Sequence, residues 1–164
     1  MFARLGPAQP AQGADVIARA VGALALAALA VIHVVDLPGT LGPTPLVGAG
    51  YLGIIAAAVL TGGAMITRSH WLAWGAAGAV AASAMGGYIL TRAVPSGFLG
   101  DHADVGNWRC PLGIAALSVE AIVILLVLLT ACQARARSAA IAARQPLPEP
   151  LMRRTPEYSN RHSG

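Results

Sequence analysis

Leu46 to Thr67 runs without a single Asp, Glu, Lys, Arg or His. A helix of that length crosses the roughly 30 Å hydrocarbon core of a bilayer. Three more apolar runs accompany it, at about residues 16–35, 71–94 and 111–132. Between Ala20 and Val35 the one ionisable side chain is His33, and within the last run the one charged side chain is Glu120. The breaks between runs are short: a Gly- and Pro-rich stretch at 36–45, Arg68-Ser69-His70, and a loop at 95–110 that ends before Pro111. The pattern predicts an all-α membrane protein, a compact bundle of four transmembrane helices. Only 11% of residues are charged, against about 25% in soluble domains. That excludes a solvated enzyme domain, a disordered regulator and a nucleic-acid module. The first run exceeds the apolar core of a signal peptide and lacks a small-x-small site after it, so an uncleaved first span is expected.

All 11 basic residues are Arg. Arg4, Arg19, Arg68, Arg135, Arg137, Arg144, Arg153, Arg154 and Arg161 fall on one side of the four spans; Arg92 and Arg109 fall on the other, beside Asp36, Asp101 and Asp104. Cytoplasmic loops carry the excess of Arg and Lys. Both termini are therefore expected inside a plasma membrane, with the 36–45 and 95–110 loops outside. Residues 1–15 read as a cytoplasmic N-terminal segment and 16–132 as the membrane domain. Residues 133–164 read as a basic, Pro-rich tail that lies on anionic lipid or on a partner subunit. The sequence pI of 9.8 reflects this placement of Arg and implies no nucleic-acid partner. Arg without Lys, together with many Ala and Gly, suggests a GC-rich genome. Cys110 and Cys132 flank the last run, too far apart along one helix to form a bridge.

In lipid, helices associate through close backbone approach at small residues. Gly75, Ala79, Ala82 and Gly86 form such a stripe in the third run, Gly53 and Ala57 in the second, and Ala18, Gly22 and Ala25 in the first. The stripes suit packing either within the chain or against another copy.

The polar residues inside the spans are the candidate functional groups. Glu120 lies nine residues after Pro111, near the bilayer midplane. An ionised carboxylate there costs several kcal/mol unless paired, so Glu120 is expected to face the bundle, to be protonated, or both. His33 and Asp36 lie three apart at one end of the first run, and Arg92 lies one turn after Tyr88 at the same end of the third. Together they are expected to form a buried His–Asp–Arg–Tyr cluster, whose role is proton handling or a polar lock to a partner. Asp101, His102, Asp104 and Trp108 mark the outer loop. No two spans present histidines at matching depth, so no haem is expected. The mixed donors Asp101, His102, Asp104 and Cys110 lack a metal-site spacing, so no metal or other cofactor is expected. No phosphate loop, nucleophile elbow or zinc helix occurs.

The stretches Thr91-Arg92-Ala93-Val94-Pro95, Asp104-Val105-Gly106-Asn107-Trp108-Arg109-Cys110-Pro111-Leu112-Gly113 and Ser118-Val119-Glu120 resemble those of small four-span membrane proteins of actinobacteria. Those end their third span in Thr-Arg-x-x-Pro, carry Asp-x-Gly-x-Trp-x-x-Pro-x-Gly in the following loop and place a Glu in the fourth span. A His late in the first span matches His33. The resemblance covers about residues 20–130. It implies the four-span architecture and interest in Arg92, Trp108 and Glu120, and it implies no reaction. Where such proteins often have an acid before Pro-Leu-Gly, this chain has Cys110.

A bundle with few loops and isolated polar groups points to a non-enzymatic accessory or assembly subunit of a larger plasma-membrane complex, respiratory or redox. Its expected partners are the lipid bilayer and other membrane subunits or further copies of itself. The alternative is a small oligomeric transporter or channel that moves protons or ions by way of Glu120 and Arg92.

Overall fold

A computed structural model describes residues 10–67 and 71–144, with side-chain surroundings from residue 13 onward. The chain is an all-α four-helix protein: α1 spans Pro10–Leu41, α2 Pro45–Thr67, α3 Trp71–Ala93 and α4 Pro111–Arg144. All four helices are long and apolar enough to cross a membrane. The outward face confirms the solvent. Leu60, Leu24 and Ile66 are 74%, 71% and 70% exposed, whereas Glu120 is 1% and Arg92 7% exposed. Water would oppose that arrangement at every one of these positions. The chain is a multi-pass membrane protein.

Three helix boundaries depart from the expected ones. The break expected at 36–45 is shorter, because α1 continues through Pro38 to Leu41. Pro38 removes one backbone donor, but Thr40 Oγ1 donates to the Asp36 carbonyl at 3.1 Å and keeps the turn knit. The joint is only Gly42-Pro43-Thr44. Thr44 caps α2, its carbonyl accepting the Gly48 N–H at 3.0 Å, and Pro45 occupies the first helical position, where a missing N–H costs nothing. A Cβ built on Gly48 would lie 2.7 Å from the Leu41 Cα, so this corner needs glycine. At the other extreme, α4 runs past Cys132 to Arg144. Residues 133–144 were expected to open the basic, Pro-rich tail, yet Gln133 to Arg144 is mostly Ala and Arg, both strong helix formers. Among the described residues, 131–144 fall in a unit separate from the rest. α1 begins at Pro10, earlier than residue 16. The Pro-rich tail at 145–164, the N-terminal residues 1–9 and the Arg68–His70 connection lie outside the described residues.

Within Met1–Thr130, the helices alternate in direction. The joint at 42–44 and the loop at 94–110 thus share one end, called here the loop end. The opposite half is filled with apolar side chains. Leu26 and Leu29 of α1, Ala58 and Met65 of α2, Ala77 and Ala81 of α3 and Val123 of α4 are each 1% exposed or less. Gly22 admits α2 closely: a Cβ there would lie 2.7 Å from Met65 Cε. The Ala18–Gly22–Ala25 stripe therefore packs within the bundle. The Gly75–Ala79–Ala82–Gly86 stripe does not. Gly75, Ala79 and Ala82 are exposed and Gly86 half-buried, and a Cβ on Gly75 or Gly86 would meet nothing within 4 Å. The buried face of α3 is instead Ala73, Ala77, Val80, Ala81, Ala84, Tyr88, Thr91 and Arg92, and a Cβ on Gly78 would lie 3.4 Å from Val127 of α4.

Candidate functional site

The loop-end half is hollow. A cavity of about 280 Å³ lies among all four helices, and His33, Asp36, Tyr88, Arg92 and Glu120, the five polar residues singled out from the sequence, all line it. Tyr51, Ser83 and Thr91 complete its polar surface, and Ile54, Ala84, Phe98, Leu112 and Ala116 are among its apolar walls. Exposed Gly50 and Ser83 lie within spans, so the cavity reaches the surface where lipid, not water, surrounds the protein.

Hydrogen bonding divides the polar residues into two groups and an outlier. On α1 and α2, His33 Nδ1 is 2.9 Å from the Leu29 carbonyl. A carbonyl can only accept, so Nδ1 carries the proton and Nε2 is left for other work. The His33 ring stands edge-on to Tyr51 at 4.8 Å, and the Tyr51 hydroxyl donates to Asp36 Oδ2 at 3.0 Å. His33 and Asp36, expected to form one i, i+3 pair, thus each turn to another partner, with Tyr51 between them.

On α3, Arg92 is committed to the loop rather than to Asp36. Nη2 pairs with Asp104 Oδ2 at 3.2 Å, Nε donates to the Asn107 carbonyl at 3.1 Å and Nη1 donates to Thr91 Oγ1 at 2.7 Å. The guanidinium carbon sits 3.7 Å above the Tyr88 ring, a cation–π contact. In return the Gly106 N–H donates to the Arg92 carbonyl at 3.0 Å. The Tyr88 hydroxyl donates to the Trp108 carbonyl at 3.3 Å, and the two rings meet edge-on at 6.2 Å. A Cβ on Gly113 would run into the Tyr88 ring, so glycine there lets α4 come close.

The loop residues serve this clamp. Buried Asp101 accepts the Asp104 N–H through Oδ1 at 3.2 Å, and Asp104 Oδ1 accepts from Asn107 Nδ2 at 3.2 Å. His102 is exposed, and its ring lies over Gly97, where a Cβ would come within 2.6 Å of Nδ1. Trp108 is half exposed. Gly97, Gly100 and Gly106 take positive φ, and Leu99 does so at 53°, an uncommon conformation for a branched residue. Among the described residues, no three His, Cys, Asp or Glu side chains converge in a metal-binding group. Both cysteines are free.

Glu120 is the outlier. It is 1% exposed, and its Oε2 has no hydrogen-bond partner among the described residues. It lies about 14 Å from the start of α4 at 1.5 Å per residue, at the level where the cavity gives way to the apolar core. Sequence reasoning missed Tyr51 and Thr91. Tyr51 was findable: it stands about as far after the Gly42–Thr44 joint as Asp36 stands before it, so an antiparallel pair of helices must bring them together. Thr91 was present in the quoted motif as the neighbour of Arg92, but nothing in the motif shows a hydroxyl turned back to a guanidinium.

No protein-family model matches the chain, and neither a curated protein nor a solved structure matches it.

Proposed function

We propose that this chain binds a small lipid-soluble molecule in the cavity at its loop end. The observation that carries this reading is the pairing of a hollow, mixed polar and apolar chamber with a buried carboxyl whose Oε2 has no hydrogen-bond partner among the described residues. Binding sites have this build: mostly apolar walls with a few placed polar groups. An unsatisfied buried polar atom costs about 1–3 kcal/mol, a cost that a ligand at Glu120 would offset. The apolar plug beneath Glu120, formed by Leu26, Leu29, Met65 and Val123, supports binding over conduction through a single chain. We place the loop end on the outer face of a plasma membrane, because Arg92 and Arg109 alone among the arginines lie on that side. The likeness to four-span actinobacterial proteins belongs to the same proposal.

The test is purification from native membranes in mild detergent, followed by native mass spectrometry. The chain is expected to carry a small molecule in fixed ratio, and Gly87→Leu, which fills the cavity from a position where a Cβ meets nothing, is expected to lose it. An empty wild-type protein identical to the variant would overturn the reading.

A second reading, an accessory subunit of a larger membrane complex, is favoured by the outward stripe of α3. Gly75, Ala79 and Ala82 lie open to a helix from outside the bundle. The same spectra decide it: large subunits retained by the wild type and lost in Ala79→Leu would support it, and a chain that always runs alone would exclude it.

A further inference from the structure

We propose that the molecule held in this cavity is an organic cation, an apolar body bearing a protonated amine, with Glu120 as its counter-ion. The inference rests on the binding role proposed above and names the ligand's charge. The titratable side chains lining the cavity are His33 and Asp36 from α1, Tyr51 from α2, Tyr88 and Arg92 from α3 and Glu120 from α4. Two are acids. The one fixed cation is already used: Arg92 is paired with Asp104, which is not part of the lining. The chamber therefore has acceptor and anion capacity in excess of positive charge. Its walls suit a cation, because Tyr51 and Phe98 contribute aromatic rings of the kind whose faces attract positive charge, while the Tyr88 face is already taken by Arg92.

The protein alone buries Glu120 with its Oε2 unpartnered among the described residues, a position compatible with a neutral carboxylic acid. Binding then proceeds as an exchange. The carboxyl releases its proton to the medium, and the resulting carboxylate pairs with the ammonium. One positive charge leaves and one enters, so the buried site stays neutral throughout. Acid competes with the ligand, and affinity falls as pH falls. Access is from the bilayer past Gly50 and Ser83, which are exposed inside the spans. An amine with a substantial apolar body reaches the site by that route, whereas inorganic cations do not partition there.

The experiment uses the full chain in lipid nanodiscs and calorimetric titration with three probes of one shape: 2-phenylethylammonium, 2-phenylethanol and 3-phenylpropanoate. The ammonium is expected to bind at least about tenfold more tightly than the alcohol, since a desolvated charge pair outweighs a neutral hydrogen bond. The propanoate is expected not to bind. Titration in two buffers of different ionisation heat is expected to show about one proton released per ammonium bound. Glu120→Gln is expected to reduce the ammonium to the affinity of the alcohol, with thermal unfolding confirming that the variant is folded. Gly87→Leu is expected to weaken every probe. If the alcohol binds as well as the ammonium and Gly87→Leu weakens both, the cavity binds neutral molecules and the inference is overturned while the binding role stands. If no probe binds and Gly87→Leu changes nothing, both fall.

Discussion

Arg92 and Glu120 are both buried and ionisable, and both line the same cavity, yet the chain treats them in opposite ways. Arg92, at the junction of α3 with the loop, meets a carboxylate, a backbone carbonyl, a hydroxyl and an aromatic face. Glu120, nine residues after the start of α4, has an oxygen with no partner at all among the described residues. A folded chain rarely leaves such a group idle. The contrast separates two uses of polarity in a membrane. Around Arg92 polarity builds structure, tying a loop with three positive-φ glycines to the end of a helix. At Glu120 polarity is held ready for something that is not protein.

Stability measurements can break this contrast. The largest effect is expected for Arg92→Met, which strands Asp104 and the Asn107 carbonyl. Thermal unfolding in detergent should show a loss of about 2–3 kcal/mol, since Asp104 is partly exposed and regains some solvation. Arg92→Lys should recover little of this, because an ammonium cannot serve three directions from one plane. Next comes Gly113→Ala, which displaces the Tyr88 ring from α4. It should cost about 1–3 kcal/mol and shift the fluorescence of Trp108, which packs on the other edge of that ring. Asp104→Asn keeps an acceptor for Arg92 but loses the charge, and should cost about 1 kcal/mol in the same assay. The smallest effect is expected at the most buried ionisable side chain among the described residues. Glu120→Gln should unfold within about 0.5 kcal/mol of the wild type, or slightly above it, because no internal partner is lost. A loss at Glu120 as large as that at Arg92 would erase the distinction.

Much of the fold was legible because lipid imposes a simple rule. Runs such as Leu46 to Thr67 have to be helices, and a short link between runs forces antiparallel neighbours. Boundaries were less legible. Asp36 to Leu41 looks like a break, since Pro38 and Gly39 disfavour helix locally, but Thr40 offers a side-chain bond that the pattern does not reveal. Depth was legible and partnership was not. Counting from Pro111 puts Glu120 near the midplane, and counting back from Pro95 puts Arg92 near the end of α3. Whether Arg92 pairs with Asp36 or Asp104 depends on how the loop folds back, which is decided by the backbone at Gly97, Leu99, Gly100 and Gly106. The stripe at Gly75 left its partner open for a related reason. Small residues allow close approach wherever they occur, and only the rotation of α3, set by Tyr88, Thr91 and Arg92 seeking the interior, determines which face is turned in.

The most direct test of the account is labelling with dicyclohexylcarbodiimide, which partitions into lipid and reacts with protonated carboxyls in apolar surroundings. Peptide mass spectrometry after brief exposure of native membranes should find the label on Glu120 and not on Asp104. Gly87→Leu, or a saturating concentration of 2-phenylethylammonium, should suppress it. Labelling of Glu120 at equal rates in the open, filled and ligand-treated proteins would contradict the account, and so would a Glu120 that never reacts.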